Sequence, residues 1–430
     1  MVMKLLQTLL VHPPIFDFTA YDFWLRPYGM MRAAAQLAGA CSFTYFNYLT
    51  TLKKDAWGRG RFKEEIVARP EALRDIPRRF RRFGRPRAEF QELLRSRAFN
   101  LVLIQTSMTY WYPGVREVIE DIRALQPSAK IVLGGVYATL CAEHAASLGA
   151  DLVIQGSDLG PLRKLLVIEP TRRKSTAYMP EESADVGIIK LSDGCPFRCT
   201  YCAAPMMWNG FTPRDLNECV DDFRHLLTIG VRNIAFYDDA LLYRADEALL
   251  PFLDAISAGT DGSHPVRFHT PNALNARFVT PTTARRMVRA GFASFFLGFE
   301  SGAKDWQTAT GGKVDAGDFE AAVHYLREAN ASAIFAYIIA GHPASEEQEP
   351  ENSVRLAHHL GVRVMLSEFS PIPNTADGRK CTRWADLAEP LSHNKTAFTL
   401  RRLGADRLNR LKELAHRGNL NISQTYTNAD

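Results

Sequence analysis

Three cysteines, Cys195, Cys199 and Cys202, share the segment LSDGCPFRCTYCAAP, with three residues between the first two and two between the last two. Thiolates at that spacing on one tight loop, directly after an apolar strand, can take three corners of an iron–sulfur cubane. The fourth iron is then open to chelate a substrate, because no fourth cysteine stands nearby. A structural zinc site or a closed cluster asks for a fourth ligand, commonly from a second cysteine pair. Cys219 and Cys381 are single and distant, and Cys219 lies in a helical pattern that reads as core. Pro196, Phe197, Arg198 and Thr200 read as loop shape and cluster burial.

Further polar groups gather where apolar runs end. NIAFYDDALL places Asp238 and Asp239 beyond a strand, where a carboxylate can accept from an ammonium group or cap a helix. SFFLGFES ends in Glu300 and Ser301, and a carboxylate at the mouth of a buried strand is functional or paired with a base. HTPNALNAR offers Asn272, Asn275 and Arg277, for ligand orientation or a core hydrogen-bond network. YIIAGHPAS offers Ile339, Gly341 and His342, the histidine as a proton donor or a structural ring. In AKIVLGGV, Gly134 and Gly135 allow close backbone approach, either to a ligand tail or in a tight turn.

Two α/β series must position these groups. In the first, LLQTLLVH, NLVLIQTS, AKIVLGGV and DLVIQG read as buried strands, and PGVREVIEDIRALQ and TLCAEHAASLG as amphipathic helices. That alternation predicts a doubly wound parallel sheet over residues 1–165. AYDFWLRPYGMMRAAAQLAGA reads as one helix, and the Arg-rich stretch of about 53–97 as an inserted helical excursion. Residues of about 165–185 lack periodicity and carry Pro and charge, as a domain boundary does. The second series, over 185–375, has the strands GIIKLSD, NIAFYDD, VRFHTPN, SFFLGFES, AIFAYIIAG and VMLSEFS with helical stretches between them. Six strands alternating with helices predict a partial (β/α)6 barrel of TIM type, with functional loops at the C-terminal strand ends. Residues 376–430 read as a helical appendage.

The cysteine loop, with the aromatic Tyr201 before its last cysteine, resembles the CxxxCxxC signature of the radical S-adenosylmethionine (SAM) superfamily. The resemblance implies a 4Fe–4S cluster whose open iron holds the methionine end of SAM and reduces it to a 5'-deoxyadenosyl radical. It implies a cofactor-contacting role for Tyr201, for Asp238 or Asp239 in place of a GGE-like segment, for Glu300 and Ser301, and for Ile339 and Gly341, and Asn272 is a further candidate from its polar side chain. The first series is similar to the cobalamin-binding domain that precedes the barrel in a large branch of the superfamily, with Gly134 and Gly135 at the ligand tail. No DxHxxG histidine loop is found, and QTSMTYWYPGV occupies the equivalent place. With cobalamin the implied reaction is methyl transfer to a small-molecule or natural-product intermediate. Without it, the alternative is a radical rearrangement, oxidation or cyclisation. A reducing partner such as flavodoxin or ferredoxin is implied. No catalytic residue is assigned beyond these contacts.

Composition narrows the setting. No apolar run is long enough to span a membrane. Seven cysteines, three of them clustered, do not form a disulfide framework, which points to a cytoplasmic protein with reduced thiols. A net charge of +5 over 430 residues does not by itself point to nucleic acid. RRFRRFGRPR is either an RNA-facing patch, as in a metal-stabilised RNA-binding module, or a solvated surface; the second is the expectation.

Overall fold

The computed structural model describes residues 5–167, 186–257 and 266–427. They form two compact units. The first holds the described residues up to 167 together with 206–208 and 388–394, and the second holds the remainder. The expected boundary over about 165–185 lies almost wholly outside the described residues. Among the described residues no helix is long and apolar enough to cross a membrane.

In the first unit five strands make one sheet: β1 (Leu6–His12), β2 (Cys41–Asn47), β3 (Leu101–Thr106), β4 (Lys130–Gly135) and β5 (Leu152–Val153). Their order is β5-β4-β3-β1-β2 and every pairing is parallel. The apolar runs predicted as β1, β3, β4 and β5 lie here, and the central strand β3 is buried along nearly its whole length, as a parallel strand covered on both faces requires. Leu10, Leu103 and Val132 pack with Ala34 and Leu37 of the helix Tyr28–Leu37 and with Leu162.

Two local expectations are corrected. The predicted helix over 20–40 is helical only from Tyr28 to Leu37, after Pro27. Before it, Trp24 takes a left-handed φ of 58°, and Asp22 pairs with Gly60 while its carboxylate accepts from Leu25 N at 2.8 Å. The polar, aromatic segment after it, CSFTYFN, is the edge strand β2, which its mixed pattern hid. The Arg-rich excursion is mostly extended: Thr51–Lys54, Gly60–Phe62, Glu64–Ile66 and Arg81–Phe83 are short strands, and only Arg87–Ser96 is an α-helix. Phe62, Phe80 and Phe83 turn inward while Pro70, Pro77 and Pro86 interrupt any helical run.

The second unit is the expected open barrel of six parallel strands: β6 (Val186–Ile189), β7 (Asn233–Phe236), β8 (Arg267–His269), β9 (Phe292–Glu300), β10 (Ile334–Ala340) and β11 (Arg363–Glu368), paired in sequence order. Phe236 and Phe292 stack with ring centres 5.3 Å apart, and Phe268 packs against both. Helix starts are capped as their sequences suggest. Asp215 accepts from Glu218 N, and Thr280 and Asp315 form reciprocal capping boxes. The C-terminal helix Ala405–Thr427 lies on β11. Asn419 both donates to and accepts from Val364 there, at 2.8 and 2.7 Å, standing in for a neighbouring strand and closing the barrel's exposed edge.

Candidate active site

The cysteine loop follows β6 and is held by the chain around it. Cys202 N donates to Cys199 O at 3.0 Å, closing the turn between the last two cysteines, and Ala204 N points at Cys202 Sγ at 3.4 Å. Burial pushes the Cys202 thiol up to about 11 and raises Cys195 and Cys199 as well. Such sulfurs become thiolates when iron replaces the proton. Among the described residues no three His, Cys, Asp or Glu side chains converge on a point fit for a single ion. A cubane makes no such demand, since each thiolate meets its own iron.

Behind this loop lies a residue that sequence reasoning missed. Thr200 N donates to Thr310 O at 3.1 Å, and Gly311 takes a φ of 119° so close that a Cβ there would meet Cys199 Cα at 3.3 Å. That contact brings Lys313 to the cysteines. Its ammonium donates to Glu300 Oε1 at 3.2 Å, with the two side chains 20% and 12% exposed. Burial alone would lower the lysine's pKa, but Glu300 and the neighbouring cysteine sulfurs raise it above its ordinary value. Glu300 ends β9 with a φ of 65°, where the β9–β10 register slips. A strained non-glycine conformation persists only where its surroundings enforce it, and such positions cluster at functional sites. The signal available in sequence was one lysine in TGGKVD, and nothing in its spacing ties it to the cysteines.

The other candidates divide. Asp239 lies near Cys195 and pairs with Lys190 Nζ at 3.4 Å. Asp238 instead turns inward: Leu191 N, Ser192 N and Ser192 Oγ all donate to its Oδ1, at 2.9, 2.7 and 2.7 Å. Asn272 is exposed and donates to Tyr237 O at 2.9 Å, and Asn275 accepts from Arg277 N at 3.1 Å. Ser301 Oγ accepts from Ala303 N at 3.0 Å at the start of the next helix. Tyr201 stacks on Trp306 and meets the edge of His342, in an apolar cluster that includes Ile339. Gly341, φ 83°, directly follows β10 and lies against Thr399. His342 Nδ1 accepts from Trp306 Nε1 and Ala344 N, at 3.1 and 3.2 Å, which leaves the ring proton on Nε2, facing Asp377 Oδ2 at 3.1 Å.

In the first unit, Gly134 and Gly135 end β4 and differ. Space is open beside Gly134, whereas Gly135 has φ 112° and lies so close to Thr106 O that a Cβ would stand 2.2 Å from it. Of the aromatic run, Tyr110 and Tyr112 are buried, and Trp111 Nε1 donates to Asp17 at 2.8 Å.

Comparison with known proteins fits these two units. The model of the radical SAM superfamily matches residues 189–357, and that of the B12 binding domain matches residues 79–166. The chain carries a radical SAM domain and a B12-binding domain. A 4Fe–4S cluster and SAM go with the first of these domains, and cobalamin with the second. The chain is 26% identical over 283 residues to a threonylcarbamoyladenosine tRNA methylthiotransferase of Thermotoga maritima, a match spanning 62% of this chain and 64% of that relative. It is 33% identical over 79 residues to a ribosomal protein uS12 methylthiotransferase of Carboxydothermus hydrogenoformans, over 18% of each. Its fold is similar to that of the radical SAM methyltransferase TsrM from Kitasatospora setae, solved with cobalamin and a 4Fe–4S cluster. The TM-score is 0.65 at 16% identity, covering 88% of this chain and 78% of that one.

Proposed function

We propose that this radical SAM protein reductively cleaves SAM and uses the resulting radical in a cobalamin-dependent methyl transfer to a small molecule. The observation that carries the reading is the Cys195–Cys199–Cys202 loop with the Lys313–Glu300 pair set beside it. Bound there, the cluster supplies the electron for cleavage, and the corrinoid of the first unit supplies the methyl chemistry. Lys313 would hold the carboxylate of the methionine end, Asp239 would accept from its amine, and the apolar wall of Tyr201, Trp306 and Ile339 would exclude water from the site. One-electron delivery calls for a donor such as flavodoxin or ferredoxin. All seven cysteines are unpaired, which accords with a reducing cytoplasm.

A small-molecule substrate is favoured over RNA by where the arginines go. Arg82 is buried against Glu117, Arg87 pairs with Asp121, and Arg59, Arg74, Arg81 and Arg85 each have a carboxylate partner. Arginines held by carboxylates in this way are less free to track phosphates. The test is anaerobic reconstitution with iron, sulfide and cobalamin, followed by assay of 5'-deoxyadenosine with dithionite and SAM. Release by the parent and its loss in Cys199→Ala support the reading. A fully reconstituted cluster that leaves SAM intact, with or without added small-molecule extracts, overturns it.

A further inference from the structure

The order β5-β4-β3-β1-β2 reverses direction between β1 and β3, and sheets of this kind bind ligands beyond the carboxyl ends of the strands at such a reversal. A small pocket opens at that point. His12 and Pro14 from the end of β1 line it, with Gln105 and Met108 from the end of β3 and Trp111 beyond. Pro13 and Pro14 stiffen the first of these loops. Its seat is tight: a Cβ on Gly114, in the helix Tyr112–Leu125, would stand 1.8 Å from Pro14 O.

His12 is the last residue of β1 and 3% exposed. A hydrogen bond with the Asn47 side chain, at the end of β2, holds its ring. Its Nδ1 is buried with no partner. A buried polar atom left without a hydrogen bond is unfavourable, a deficit that a ligand at this pocket removes. The unit's other described histidines have partners for the same atom: Tyr137 Oη lies 2.5 Å from His144 Nδ1, and Thr109 Oγ1 lies 3.0 Å from His393 Nδ1. Burial and the nearby Arg26 push the His12 pKa down to about 3, so its imidazole is neutral at physiological pH, as a metal ligand must be. The Asn47 contact supplies the outer partner that metal-binding histidines use to fix ring orientation.

We propose that His12 is the protein's axial ligand to the cobalt of cobalamin, supplied from the end of β1 in a chain without a DxHxxG histidine. The inference rests on the cobalamin reading above and names the residue that completes it. Its test uses the full-length protein loaded with cobalamin and reduced to cobalt(II), read by electron paramagnetic resonance. An axial nitrogen-14 splits each cobalt line into three and a nitrogen-15 into two. The expected result is a three-line pattern in unlabelled protein that becomes two-line on labelling histidine with nitrogen-15, and that is lost in His12→Gln with the corrinoid retained. Three lines persisting in labelled protein would mean the cofactor's own base holds the cobalt. That outcome, or the absence of any nitrogen splitting, overturns the proposal while leaving the cobalamin reading intact. A two-line pattern surviving in His12→Gln also overturns it. Should that variant not fold, His144→Gln and His393→Gln in labelled protein decide the matter: loss of the pattern in either overturns the assignment, and retention in both supports it. Failure of the well-folded parent to hold any corrinoid overturns both the inference and the reading beneath it.

Discussion

Asp377 and Thr200 hold each other twice. Asp377 N donates to Thr200 O at 3.1 Å, and the Thr200 hydroxyl donates to the Asp377 carboxylate. Thr200 stands between Cys199 and Cys202, so a residue far along the chain grips the loop that carries the cysteines. The same carboxylate faces His342 Nε2 at 3.1 Å and takes Lys380 Nζ at 2.6 Å, and these contacts hold its pKa well below the usual carboxylate range despite burial.

Asp377→Ala should therefore loosen the cysteine loop without removing a ligand. Losing a buried acceptor for three donors is expected to cost about 2–3 kcal/mol locally. The readout is iron bound per chain after reconstitution, with Asp377→Asn as the control that keeps shape and some hydrogen bonding. Iron content should fall most in the alanine variant and less in the asparagine one. Equal, full loading in parent and both variants would show that the grip is dispensable.

Lys313→Met should spare the cluster and weaken SAM. A charge-assisted hydrogen bond contributes about 1.5–3 kcal/mol, so affinity should fall roughly 10- to 100-fold. Anaerobic titration of the reconstituted protein with SAM measures it directly, and the cluster's absorbance checks that the cysteines are still loaded. Unchanged affinity would remove Lys313 from the cofactor site and leave it as a structural partner of Glu300.

Much of this site was legible from local pattern, because a cluster loop draws its ligands from one short segment and a barrel strand is an apolar run between helices. The cysteines and the six strands are of that kind. Lys313 was not legible, since its link to Cys199 runs through the close pass of Gly311, a tertiary contact with no sequence period. Asp377 was read as part of an appendage for the same reason. The short strands around Arg81–Phe83 were missed because two or three alternating residues among prolines leave too little period to separate strand from helix. His12 reads as one more residue of a strand until its unpartnered nitrogen is seen at the sheet's reversal point.

Asp238 gives a pH signature. Burial raises its pKa to about 6, against the hydrogen bonds from Ser192 and Leu191 that pull it down. With the folded value above the unfolded one near 3.8, the native state binds the extra proton between about pH 4 and 6. Stability therefore declines as pH rises through that window, by up to about 3 kcal/mol, and is level above it. Asp238→Asn has no such proton. Thermal unfolding of the apo-protein from pH 4 to 7 should show the parent losing ground relative to the variant up to about pH 6. Parallel curves would mean that the hydrogen bonds outweigh burial.

Arg82 and Glu117 test whether the Arg-rich stretch serves the fold or a nucleic acid. The guanidinium donates through Nε and Nη2 to the carboxylate at 2.9 and 2.8 Å, with the side chains 5% and 9% exposed. Arg82→Met leaves Glu117 charged, buried and unpaired, which costs about 3–5 kcal/mol. The double variant Arg82→Met with Glu117→Leu removes both charges, and a buried pair replaced by apolar groups of similar size is close to neutral. The expected order in thermal unfolding is therefore parent, then double variant close behind, then Arg82→Met well below. If Arg82→Met is as stable as the parent but loses affinity for tRNA, the arginine faces a phosphate and not Glu117, and the small-molecule reading loses its support.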